Sequence, residues 1–138
     1  MEYIIKQKDF KYFFYHDQNQ LAVSYYNFLT SSSTAEIYGL GNIKSKASGF
    51  FAFYRFEIFI NTKLMYSFKK SVWGKLKDSH NEVELWKGEI IVDGYTVGEF
   101  SRSSENLIKP LFNLRLNSKS LLPLAICYLP YAVANRHL

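Results

Sequence analysis

Cysteine is all but missing from this chain of 138 residues: there is one, Cys127. An internal disulfide is therefore excluded, and a lone thiol inside an apolar run reads as a small buried hydrophobe. The uncharged stretch Leu121–Val133 is only 13 residues long and carries Pro123 and Pro130. A spanning helix needs about 20 apolar residues, so no transmembrane span is expected. His16, His80 and His137 are scattered, and no pair has metal-ligand spacing. Gly39-Leu40-Gly41 lacks the Lys and Ser/Thr of a phosphate-binding loop. Ser101, Ser103 and Ser104 stand in no nucleophile-elbow motif. With no nucleophile, base and orienting group in view, a non-catalytic protein without cofactor or metal is expected. The start, MEYIIKQKDF, has no secretory apolar core, and no Asn-X-Ser/Thr acceptor occurs. The expected location is cytoplasmic, peripheral to a membrane if lipid is the partner.

Aromatic residues, by contrast, make up 18% of the chain, which favours pleated, half-buried surfaces and hence β structure. The length fits one domain, 1–138, with a core large enough to need no staple. The organising stretch is Ser120–Ala134, SLLPLAICYLPYAVA. It is uncharged and apolar on every side of a helical wheel, as a helix buried all round would be. A helix over 119–134 is predicted, with Ser118 or Ser120 as cap and a break near Leu129 forced by Pro130. A buried strand followed by a turn is the rival reading, because periodicity alone does not separate the two.

Before it the pattern is one of β-hairpins, over 10–28, 50–70 and 82–102, and a last strand over 111–117. Asp93-Gly94 is the clearest turn, since a type I′ hairpin needs positive φ at both positions. Residues 30–34 and 42–49 read as loops, with at most one short strand between 35 and 41. Residues 69–81 read as a strand end and loop, and 82–92 as one rising strand. Laying 56–68 over 88–100 exposes a repeat at an offset of 32: Glu57 meets Glu89, Ile58 meets Ile90, Asn61 meets Asp93, Met65 meets Val97. The first hairpin echoes it, with Leu21 four residues after Asp17. Repeated hairpins imply an antiparallel meander. Alternation places Ile58, Ile60, Met65, Ile90, Val92, Tyr95 and Val97 on its inner face, with Val92 opposite Tyr95 and Ile90 opposite Val97. Such a sheet would shed its edges by closing around the C-terminal helix.

The segment Glu89–Arg102, an E-I-apolar-apolar-D-G-x-x-V-G-E-F-x-R hairpin, followed by one uncharged helix, resembles the tubby C-terminal-like superfamily of tubby proteins, phospholipid scramblases and LURP-one-related proteins. The resemblance covers about residues 50–134. It implies an all-β antiparallel barrel closed around a central hydrophobic helix. It carries no lipid-binding residue onto a position of this chain.

Positive charge is concentrated in residues 1–77, which hold 11 Lys/Arg against 5 Asp/Glu. The shaped part of it is Lys63, Lys69, Lys70, Lys75 and Lys77, with Trp73 between the lysine pairs and Lys44 and Lys46 in nearby loops. Lysines on a sheet edge also serve simply to discourage aggregation. As a site, the segment fits an anionic membrane surface: lysines near anionic lipid contribute about 1 kcal/mol each, and tryptophan suits the headgroup level. A protein partner bound by an aromatic surface such as Phe50–Tyr54 is the alternative. Nucleic acid ranks below both, because the patch has one aromatic and no arginine fork.

Overall fold

The structure, a computed structural model, describes residues 1–49, 54–78, 80–103 and 111–138. The strands are β1 (Glu2–Lys8), β2 (Lys11–His16), β3 (Asn19–Asn27), β4 (Ser32–Ile37), β5 (Gly41–Ser48), β6 (Arg55–Ile60), β7 (Lys63–Lys70), β8 (Leu76–Asp78), β9 (Val83–Trp86), β10 (Glu89–Val92), β11 (Tyr95–Arg102) and β12 (Leu111–Leu116). Each pairs antiparallel with the next, and β12 pairs with β1 to close the barrel. The helix α1 (Leu122–Ala134) follows a 3-10 turn at Lys119–Leu121 whose Ser118 side chain accepts from the Ser120 N–H at 3.3 Å. The meander wraps this helix, and closure leaves the sheet no free edge.

The internal repeat is real and has a geometric meaning. The three repeated hairpins turn through two residues of positive φ, Asp17 and Gln18, Asn61 and Thr62, Asp93 and Gly94, as the β9–β10 hairpin also does at Lys87 and Gly88. Each of the three carries a bulge at the same place, which leaves Leu21, Met65 and Val97 as the extra residue of the returning strand. The bulge corrects the expected register: Ile90 faces Gly98, not Val97. A Cβ on Gly98 would come within 2.7 Å of Leu116 Cδ2, so Ile90 and Leu116 close over a position with no side chain. Ile58 and Ile90 are fully buried as expected, Ile60, Val92 and Val97 pack at the margin of the core, and Met65 and Tyr95 are exposed instead of inward, Tyr95 because it adjoins the Asp93-Gly94 turn at the barrel's end. An extra residue shifts the period-2 alternation by one, which is why Met65 turns out.

α1 is buried from Leu122 to Ala132. It runs unbroken through Pro130, against the expected break at Leu129. The missing N–H costs a helical hydrogen bond, yet the helix continues through it, buried within the barrel to Ala132. Its backbone comes nearest β3–β6, with Cα atoms within 8 Å. On β3–β5 most inward residues are small, Ala22, Ser24, Ser33, Ala35, Ser45 and Ala47, all buried, with Ile37 and Ile43 at one end. Larger side chains, Phe14, Phe56, Phe68, Phe112, Leu76 and Leu85, fill the rest of the interior. Cys127 is buried against Ser45, and burial pushes its thiol far above the usual range.

Four loop or strand expectations are corrected. The stretch 42–49 lies mostly in β5, and most of 30–34 in β4. Ile37 and Ile43 apart, the inward residues of both strands are small or polar, so neither looks like a strand by hydrophobicity. Residues 69–81 contain β8, and 82–92 are two strands, β9 and β10, turned at Lys87 and Gly88, both of positive φ. No helix among the described residues is long and apolar enough to cross a membrane.

Candidate functional site

The β7–β8 hairpin gathers most of the expected basic residues. Register across two ladders sets Arg55 opposite Lys69 and Lys69 opposite Lys77 on the outer wall. Adjacent strands lie about 4.8 Å apart, and like charges placed directly opposite oppose folding. The counter-charge is Glu84, opposite Lys77 in the next ladder, 3.4 Å from the Lys75 ammonium and 4.0 Å from that of Lys77. Two cations of this row, Arg55 and Lys69, have no carboxylate opposite them in these ladders. Lys70 has the inward parity of its partner Leu76; at the barrel mouth its ammonium lies 5.0 Å from the Tyr54 ring centroid.

The connecting loop is a tight, internally bonded turn. The Ser71 N–H donates to the Lys75 carbonyl at 2.8 Å, the Gly74 N–H to the Ser71 carbonyl at 3.0 Å, and the Lys75 N–H to Ser71 Oγ at 3.1 Å. Gly74 sits at φ +92, where a Cβ would also lie 3.3 Å from the Trp86 ring. This geometry projects Val72 and Trp73 outward, 96% and 84% exposed. Behind Trp73 opens a cavity of about 210 Å³ bounded by Lys70, Trp86, Lys87, Tyr131, Arg136 and His137. A wider depression of about 800 Å³ lies over the outer wall of β1, β2, β11 and β12. Its charges are of both signs and partly neutralised, as by Arg115 and Glu99 at 3.0 Å.

His137, expected at a surface or turn, is instead half-buried at this mouth. The Gly88 N–H donates to the Tyr128 hydroxyl at 3.0 Å, and that hydroxyl lies 2.7 Å from His137 Nδ1. The Trp86 and Tyr131 rings stand edge-on to the imidazole. Burial lowers its pKa below the ordinary value; the Gly74 carbonyl works against this, and Lys70 adds to it.

The expected site residues thus divide. Lys69, Lys70, Trp73, Lys75 and Lys77 come together. Lys63 begins β7 at the opposite end of the barrel, and Lys44 and Lys46 lie on β5, Lys46 opposite Glu57. Arg55, Lys87 and Arg136 were not singled out by sequence, since only the barrel brings them to the segment. Phe50–Phe53 of the aromatic stretch lie outside the described residues; Tyr54 packs against Lys70 and, at 6.4 Å between centroids, Tyr131. β7 is paired on both sides, to β6 and β8, so an edge-protecting role has little edge to act on at Lys69 and Lys70. Compared with protein-family models, curated proteins and solved structures, the chain matches none.

Proposed function

We propose that the protein is a non-catalytic module that binds anionic lipid headgroups through the β7–β8 hairpin. The observation that carries this reading is the exposed Val72–Trp73 tip, held by a rigid turn and flanked by Lys69, Lys70, Lys75, Lys77 and Arg55. An apolar tip ringed by cations matches a surface that is negative outside and apolar just beneath. A tubby-like relationship belongs to the same proposal, and a barrel closed around an apolar helix supports it.

The test is sedimentation with anionic and with neutral vesicles at low and physiological salt. Changing Lys69, Lys70, Lys75 and Lys77 together to Gln removes about 4 kcal/mol of surface attraction, roughly a thousandfold in affinity. The fold should survive, because each exposed substitution changes stability by about 0.5 kcal/mol or less. Trp73→Ala weakens binding separately, at any salt. Wild-type protein that ignores anionic vesicles at low salt overturns the proposal, and a salt-insensitive protein contact then becomes the better reading.

A further inference from the structure

In an antiparallel meander, alternate connections open on the same end. The β7–β8 loop therefore shares its rim with the β1–β2 turn, the β3–β4 loop, the β9–β10 turn and the C-terminal end of α1. That rim carries a second apolar projection. Phe10 and Phe28 are 52% and 59% exposed with ring centroids 5.3 Å apart, and Leu29 beside them is 82% exposed. The two loops are tied by the Tyr26 N–H donating to the Phe10 carbonyl at 2.9 Å. Lys8 and Lys11 face each other at its base.

Charge sorts by end. On this rim the described connections and the tail after α1 hold Lys75, Lys87 and Arg136 against one carboxylate side chain, that of Asp9. The opposite end holds Asp17, Glu82 and Asp93 against Lys119 and the Met1 ammonium. That far end also exposes apolar side chains, Tyr38, Leu40 and Tyr95, but beside carboxylates that an anionic surface repels.

We propose that the barrel docks end-on against an anionic bilayer, with Val72–Trp73 and Phe10–Phe28–Leu29 as two separate prongs inserted from one cationic rim. This rests on the lipid-headgroup reading and adds an orientation and a second contact to it. The probe is phosphatidylserine–phosphatidylcholine vesicles, with phosphatidylcholine alone as control. The double variant Phe28→Ser, Leu29→Ser should bind about tenfold or more weakly, as expected for withdrawing partly buried apolar side chains. Tyr38→Ser with Leu40→Ser, at the far end, should bind as wild type. With Trp86→Phe made throughout so that one indole reports, Phe28→Trp in a Trp73→Phe background should be quenched by brominated lipid, as Trp73 itself should be when Phe28 is kept. Circular dichroism checks that each variant is folded. If the Phe28/Leu29 variant binds like wild type while Trp73→Ala does not, the two-prong dock is wrong and the single-site reading stands. A far-end variant that weakens binding equally also overturns the orientation. No wild-type binding to the anionic vesicles sinks both proposals together.

Discussion

Asp78 shows how one side chain substitutes for a piece of sheet. β8 is three residues long, so its ladder with β7 covers only Lys69 and Lys70. Below it the buried Asp78 carboxylate accepts from the Ser67 N–H at 3.0 Å, the His80 N–H at 2.9 Å, and the Asn81 N–H and side-chain amide, each at 3.2 Å. The Asn81 amide also reaches the Met65 carbonyl at 3.3 Å. Removing the carboxylate strands several donors at once. Asp78→Ala should therefore cost about 3 kcal/mol in denaturant unfolding, and a loss under ~0.5 kcal/mol would show that water replaces it freely. His137 makes a second prediction at this scale. Its folded pKa lies below the ordinary 6.5. Above 6.5 both folded and unfolded forms are neutral. As pH falls through that value the unfolded chain takes up the proton first, so stability declines until the folded pKa is passed. Melting temperatures followed from about pH 8 to about pH 5 should show a decline in wild type that is smaller in His137→Gln. Parallel curves would remove His137 from the account.

The hairpin is the element that repeats, and its turns are not equally comfortable. Gly94 takes φ +82 freely, but Thr62, β-branched, is held at φ 72. Left-handed backbone costs a non-glycine residue about 1–2 kcal/mol, so Thr62→Gly should stabilise by about 0.5–1 kcal/mol after the loss of unfolded-state restriction. Gly94→Ala should do the reverse by about 1 kcal/mol; no atom lies within 4 Å of its added Cβ, which leaves φ as the cause. A thermal scan that finds Thr62→Gly no more stable would mean the surrounding ladder relaxes the strain. These turns explain what was legible. Asp-Gly and its echoes marked three hairpins, and the all-apolar C-terminal stretch marked the interior. β4 and β5 were hidden because Ser33, Ala35, Ser45 and Ala47 must be small where the helix passes. Register was hidden because one bulge residue inverts every inference from alternation beyond it. The basic hairpin was legible as a contiguous run. Its completion by Arg55, Lys87 and Arg136, and its separation from Lys63, depend on which strands become neighbours.

At the scale of the molecule, sequence position and charge position come apart. The excess of cations in the first 77 residues does not make one half of the barrel basic, because the meander carries the chain from end to end and sorts charge by rim. The helix binds those rims into one body. It starts at the acidic end and finishes at the basic one, where Tyr128 reaches Gly88 and His137 sits against the β7–β8 turn. Without it, Ile43, Phe56, Ile58 and Phe68 would line an empty space, and a barrel wall facing such a void loses both burial and packing contacts. Two variants test this. Leu124→Asp puts a carboxylate among fully buried apolar groups, at a penalty of several kcal/mol against a total stability of roughly 5–15 kcal/mol. Truncation after Asn117 removes the core altogether. Both should yield protein without a cooperative thermal transition and with strong binding of a hydrophobic dye. A truncated chain that still melts cooperatively would mean that the twelve strands hold the barrel unaided. The helix would then be an occupant of the lumen and not its foundation.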